Sequence, residues 1–176
     1  MEIEAKFRLD ASQLQALRER LGPPVETVRQ RDVYLETAGL PVALRVRRDG
    51  ERACVTLKQG FKKVAGIRVR EEFEPRIAPE ELDTWLTIFE RLGFPAGEAV
   101  EKTREVYAQP HGVHVLLDQV DGLGSFVEVE SVADDATAAL AHLEAAIAAL
   151  GLGAQPRLTR SYRELLRDAR AAGAGA

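Results

Sequence analysis

Glu2, Glu4 and Lys6 alternate with Ile3, Ala5 and Phe7 at the start of a 176-residue chain. Successive side chains of a strand point to opposite faces, so two carboxylates and an ammonium would share one side. Alone, this is the pattern of a strand with one solvated face. The alternation returns at Arg45 and Arg47, at Lys58, at Arg68 and Arg70 running into Glu72 and Glu74, at Lys102 and Arg104, and at Asp118 with Glu128 and Glu130. If these faces converge, an acidic cluster lies beside a basic one. Carboxylates two residues apart on neighbouring strands suit Mg2+ or Mn2+, which prefer carboxylate and water oxygens. Arginine forks and lysine point charges suit phosphate oxygens. Both sets together fit a metal-bound polyphosphate, because the metal offsets the repulsion the carboxylates would otherwise exert on it.

The elements that must position these groups follow from periodicity and turn residues. Strands are expected over 2–7, 28–36, 43–48, 53–59, 67–74, 99–108, 113–120 and 125–132. Helices are expected over 10–21, 80–92, 136–150 and 161–171, the first capped by Asp10 or Ser12 and stopped at Gly22-Pro23-Pro24. Asp49-Gly50 and Gln109-Pro110-His111-Gly112 read as hairpin turns, and Gly60 to Gly66 as a glycine-bounded loop carrying Lys62 and Lys63. The class is α+β, with roughly eight mostly antiparallel strands. An open sheet wetted on one face explains the charged alternation, and so does a closed barrel with a polar lumen and helices outside.

Composition sets limits on partners. The length suits one domain, expected over 1–171, with 172–176 a frayed tail. A net charge of −4 gives no global field for a nucleic acid duplex or a membrane surface, so any anion site is local. Only five of the 24 basic residues are lysines, and Lys6, Lys58 and Lys102 fall on separate predicted strands. The single Cys54 excludes an internal disulfide and a cysteine zinc cluster, and reads as a small strand residue. His111, His114 and His142 have no metal-site spacing, and Trp85 reads as helix core. With no signal-peptide pattern and no apolar run approaching ~18 residues, a cytoplasmic protein is the expectation.

The ordered motifs resemble the CYTH superfamily, the triphosphate tunnel metalloenzymes, which include class IV adenylyl cyclases, thiamine triphosphatases and inorganic triphosphatases. EIEAK matches the ExExK signature at Glu2, Glu4 and Lys6. RDVYLET is similar to the family's Asp-x-Tyr strand, LRVR to its basic pair, and TLK to its strand lysine. REEFE fits at Arg70, Glu72 and Glu74, and EKTREVY at Lys102 and Arg104. LLDQVDGLGSFVEVE resembles the run that places Asp118, Gly122, Gly124, Phe126, Glu128 and Glu130. SYRELL, at Ser161 to Leu166, is similar to a C-terminal motif of the cyclase-like branch. Some members carry a lysine just before that Ser-Tyr, where this chain has Arg160. The resemblance spans residues 2 to about 166.

This resemblance implies an eight-stranded antiparallel barrel forming a triphosphate tunnel, with flanking helices. It implies that Glu2, Glu4, Asp118, Glu128 and Glu130 hold one or two Mg2+ or Mn2+ ions. Arg45, Arg47, Lys58, Lys102 and Arg104 would grip phosphate oxygens, while Arg70 and Glu72 would contact substrate or support the residues that do. Lys6 would contact phosphate or orient Glu2 and Glu4, and these three are the expected catalytic set. The leading expectation is a metal-dependent triphosphatase acting on tripolyphosphate or an organic triphosphate, as a monomer or homodimer. The alternatives are a class IV cyclase converting ATP to cyclic AMP and pyrophosphate, and a non-catalytic polyphosphate-binding barrel.

Overall fold

In the computed structural model, which describes residues 1–133 and 136–173, alternating charge becomes an inside and an outside. The strands are β1 (Glu2–Leu9), β2 (Glu26–Leu35), β3 (Ala43–Asp49), β4 (Arg52–Val64), β5 (Ile67–Phe73), β6 (Arg76–Ile77), β7 (Ala96–Ala108), β8 (Val113–Val120) and β9 (Gly124–Val132). They pair in the order β3-β2-β7-β8-β9-β1-β5-β4, and β3 also pairs with β4. That last pairing closes an antiparallel barrel of eight strands, with β6 a two-residue addition on β4. Closure removes the sheet edges and decides between the two architectures that alternation left open.

Much of the barrel's outer face is apolar and covered by helices. Ile3, Ala5 and Phe7 of β1 pack with Val115 and Leu117 of β8 and Val127 and Val129 of β9. Leu14 and Leu17 of α1 (Ala11–Leu21) and Leu143 and Ile147 of α3 (Ala136–Ala149) complete that core. Asp10 caps α1 through its side chain, and Gln13 returns the bond to the Asp10 backbone N–H. On the opposite side, Leu35, Leu44, Val46 and Val55 lie under Trp85, Leu86 and Phe89 of α2 (Leu82–Arg91). Leu143 is fully buried, so Leu143→Ala is expected to cost about 2–5 kcal/mol. Urea unfolding checks this, and a loss below ~1 kcal/mol would mean α3 is not packed as described.

Four elements depart from the sequence expectation. Residues 60–64 are strand, not loop: Lys62 pairs with Val69, Lys63 with Arg68 and Val64 with Ile67. A register shift between Gln59 and Lys62 absorbs Gly60, whose φ of +67° suits glycine. β2 and β7 begin earlier than expected, at Glu26 and Ala96, because each completes the other's ladder from Glu26↔Val106 to Leu35↔Ala96. The final helix, α4 (Tyr162–Gly173), includes two residues expected in the tail, while 174–176 lie outside the described residues. The chain reaches α4 by a crossing segment whose Leu158 N–H donates to the Lys6 carbonyl at 2.8 Å. Among the described residues, no helix is long and apolar enough to cross a membrane.

Candidate active site in the barrel lumen

The inward face of the barrel surrounds a cavity of about 670 Å³. Of the candidates, Glu2, Glu4, Lys6, Arg45, Arg47, Lys58, Arg70, Glu72, Lys102, Arg104, Glu128 and Glu130 all line it. Asp118 does not. Its carboxylate is fully buried behind the wall, where Arg104 binds both oxygens at 2.7 and 2.6 Å. Lys102 Nζ and the Tyr162 hydroxyl each donate to its Oδ2 at 2.9 Å. Four donated bonds occupy Asp118 with orienting Lys102 and Arg104.

Asp32 holds the opposite wall in the same way. Arg47 binds it through Nε at 2.5 Å and Nη2 at 2.8 Å, and Arg45 Nη1 lies 3.3 Å away. Across the cavity, Lys58 Nζ lies 2.5 Å from Glu2 and 3.1 Å from Glu72. Arg70 Nη2 bridges Glu2 and Glu4, both at 3.1 Å, and Arg68 also donates to Glu4. Lys6 Nζ sits 2.8 Å from Glu128 and 3.6 Å from Glu4, with the Tyr162 ring centroid 3.8 Å away. Arg104 also pairs with Glu128.

Such density of opposite charge divides the pKa values. Burial raises the Glu2 carboxyl, but Lys58 and Arg70 outweigh it and hold Glu2 at about 2. Burial likewise opposes ionisation of Glu128, which Lys6 and Arg104 hold well below the usual carboxylate range. Lys102 is brought down to about 8 by burial and the neighbouring Arg104, against the pull of Asp118 and Glu128. Glu130 is the exception among the acids: burial, with Glu2 and Glu128 nearby, lifts it to about 7 against the pull of Arg104.

The raised Glu130 value has a measurable consequence for the metal-free protein. Between about pH 4.5 and 7 the folded state holds a proton on Glu130 that the unfolded chain releases. Its contribution to stability therefore declines as pH rises through that window. Glu2 and Glu128 carry depressed values and lose their stabilisation only at lower pH. Thermal melting under chelator is expected to show a wild-type Tm that falls, relative to Glu130→Gln, by a few degrees from pH 5.5 to 8. Parallel pH profiles for the two proteins would contradict the desolvation of this half-buried charge.

Sequence reasoning left several lumen residues out of the candidate set: Asp32, Arg68, Glu74 and Tyr162. Arg68 and Glu74 stood in the alternation without being assigned a role, and Asp32 shares the parity of Tyr34 in its strand. Tyr162 comes from α4, and only the crossing segment brings it to Lys6 and Asp118. Arg160 stays outside the lumen, paired with Asp168. Glu144 holds Arg157 of the crossing segment at 2.8 and 2.6 Å.

Hard divalent cations fit this donor set, with one qualification from geometry. Among the described residues no three His, Cys, Asp or Glu groups converge as a ready metal cage. Lys6, Lys58, Arg68, Arg70 and Arg104 hold Glu2, Glu4, Glu72 and Glu128, whereas Glu130 has neither ion pair nor hydrogen bond among the described residues. Mg2+ is commonly held by one or two carboxylates together with substrate phosphates rather than by an all-protein cage.

A closed antiparallel barrel with a charged lumen and an apolar exterior under helices defines the class of protein. The chain belongs to the CYTH domain family, which it matches over residues 1–162. It is 32% identical over 126 residues to a Methanocaldococcus jannaschii protein named "Putative adenylate cyclase", spanning 70% of each chain. A conserved hypothetical protein from Pyrococcus furiosus has the same fold, with a TM-score of 0.80 and 27% identity over 94% of this chain and 99% of that one. A Hippeastrum protein described as a "Putative adenylyl cyclase" with a dominant triphosphatase activity is 23% identical, with a TM-score of 0.73 over 96% of each chain. At that identity the likeness shows the fold alone.

Proposed function

We propose that this protein is a divalent-metal-dependent triphosphatase acting on inorganic tripolyphosphate or an organic triphosphate. The observation that carries the reading is the lumen: carboxylates and guanidinium or ammonium groups neutralise one another around a cavity of about 670 Å³, and among the described residues Glu130 has no ion-pair partner. A pure anion binder gains nothing from those carboxylates, because they repel phosphate. Glu2, Glu4, Glu128 and Glu130 are the residues proposed to hold Mg2+ or Mn2+. Asp118, with its oxygens committed to Lys102, Arg104 and Tyr162, is proposed to position those cations instead. When bound, the metal polarises phosphate oxygens and supplies an activated water.

The chain's own residues do the remaining work by position and charge. Arg45 and Arg47 on one wall, Lys58 and Arg70 on another, and Lys102 and Arg104 on a third are the groups proposed to surround a triphosphate. Water oxygen forms the new bond to the terminal phosphorus as the bridging P–O bond breaks. A lumen carboxylate receives the water proton, and the fixed cations offset charge on the departing diphosphate. Holding Asp32 and Asp118 rigid fixes Arg47 and Arg104 before substrate arrives, so little reorganisation is left for the reaction itself.

The similarity to the Methanocaldococcus protein supports a second reading, a class IV adenylyl cyclase. There the ribose 3′-hydroxyl attacks the α-phosphorus and pyrophosphate leaves. Incubation with tripolyphosphate, thiamine triphosphate and ATP under Mg2+ or Mn2+ separates the readings. Released orthophosphate supports the triphosphatase. Cyclic AMP with pyrophosphate supports the cyclase, and no turnover of any of the three rejects both.

A further inference from the structure

Tyr162 brings a different kind of partner to the lumen. Lys6 and Lys102 both line the cavity, and both ammoniums lie over the Tyr162 ring, 3.8 and 5.0 Å from its centroid. At such distances a cation is drawn to the negative face of an aromatic ring, and the attraction strengthens away from water. Lys6, Lys102 and Tyr162 are all buried. Lys58, a third lysine of the lumen, sits instead between the Glu2 and Glu72 carboxylates.

Several contacts fix the ring where it stands. The Leu158 N–H bond to the Lys6 carbonyl ties the segment that leads to Tyr162 onto the very residue its ring meets. The Tyr162 hydroxyl donates to Asp118 Oδ2 at 2.9 Å. Its ring lies 4.9 Å from that of Phe126, with the planes tilted by 59°. The next residue, Arg163, reaches both oxygens of Glu36 at 2.9 and 2.8 Å and holds this end of α4 beside β2.

An aromatic face differs from a carboxylate in what it leaves free. Glu128 and Asp118 hold the same lysines at 2.8 and 2.9 Å, and each offsets the positive charge that a phosphate requires. The ring carries no net charge, so it restricts the ammonium without cancelling it. A lysine that is ordered only when an anion arrives loses rotamer freedom at that moment, which weakens binding. Ordering it beforehand removes that cost.

From this we infer that Tyr162 is a positioning residue, whose ring holds the Lys6 and Lys102 ammoniums ordered and charged for one anionic group to share. The inference rests on the triphosphate reading for the anion and deepens it. Tyr162 acts through the two lysines, and α4 thereby takes part in the site.

Tripolyphosphate binding to the intact protein with Mg2+ tests this. Tyr162→Leu is expected to raise the Kd about tenfold, and Tyr162→Phe, which keeps the ring, to restore most of that loss. Phenylalanine carrying one, two or three ring fluorines at position 162 keeps the shape while drawing negative charge from the ring face. Relative to Tyr162→Phe, the Kd is expected to rise with each fluorine without a matching fall in Tm, a trend that core packing does not produce. A flat series, or one that only tracks Tm, overturns the inference. So does a Tyr162→Leu protein that binds as tightly as Tyr162→Phe. Failure of the wild type to bind tripolyphosphate would instead defeat the triphosphate reading, and lysine proton resonances would then decide the inference. Ring current is expected to move the side-chain methylene protons of Lys6 and Lys102 upfield in the wild type and Tyr162→Phe, but not in Tyr162→Leu. Lys6→Arg and Lys102→Arg assign them among five lysines, and unshifted resonances in the wild type overturn the inference.

Discussion

Glu130→Gln is expected to lower metal-dependent turnover at least about a hundredfold and at the same time raise Tm at pH 8. Both effects come from one feature. Glu130 has neither ion pair nor hydrogen bond among the described residues, and burial beside Glu2 and Glu128 pushes it up to about 7. A charge held this way weakens the empty fold, and glutamine keeps the shape without the charge. Residues that cost stability where they stand are commonly the ones activity requires. Glu4→Gln provides the contrast. Glu4 is held by Arg68 and Arg70, so its loss is expected to remove turnover while lowering Tm. Steady-state rates and melting curves on the three proteins measure this. Full activity in either variant would reject the metal role, and a lower Tm for Glu130→Gln would reject the account of its burial.

Arg104→Ala carries the largest expected stability cost, about 3–5 kcal/mol. Arg104 binds both oxygens of Asp118, which is fully buried, and also pairs with Glu128. Among the described residues, removing it leaves Asp118 with Lys102 and Tyr162 alone. Adding Asp118→Asn should recover part of the loss, because the uncompensated charge disappears with it. Denaturant unfolding of the single and double variants measures this coupling. A double variant no more stable than Arg104→Ala alone would contradict the assignment of Asp118 as the group that positions Arg104. Tripolyphosphate affinity should fall at least about tenfold in Arg104→Ala, since the guanidinium lines the lumen.

Much of this site was legible because a strand has a period of two. Once Glu2, Glu4 and Lys6 are placed on one face, Arg45 and Arg47, Lys102 and Arg104, and Glu128 and Glu130 follow by the same parity. The structure brings each of them to the lumen. Parity does not reveal depth. Asp118 shares the inward face with Glu128, yet it lies behind the cavity wall because Arg104, Lys102 and Tyr162 close over it. Nor does parity reveal closure, which depends on one long-range pairing between β3 and β4. The glycines at 60 and 66 suggested a loop because a bulge and a turn use the same residue. Tyr162 was visible only through the C-terminal motif, since no local pattern shows that a crossing segment will carry it back to Lys6.

The central claim, that the lumen holds a metal-bound triphosphate, is tested most directly by a crystal structure with tripolyphosphate and Mn2+, using the anomalous signal of manganese. The account predicts manganese in the lumen, bound by oxygens from among Glu2, Glu4, Glu128 and Glu130. It also predicts phosphate oxygens against Arg45, Arg47, Lys58, Lys102 and Arg104. Manganese or tripolyphosphate found only outside the barrel would contradict it.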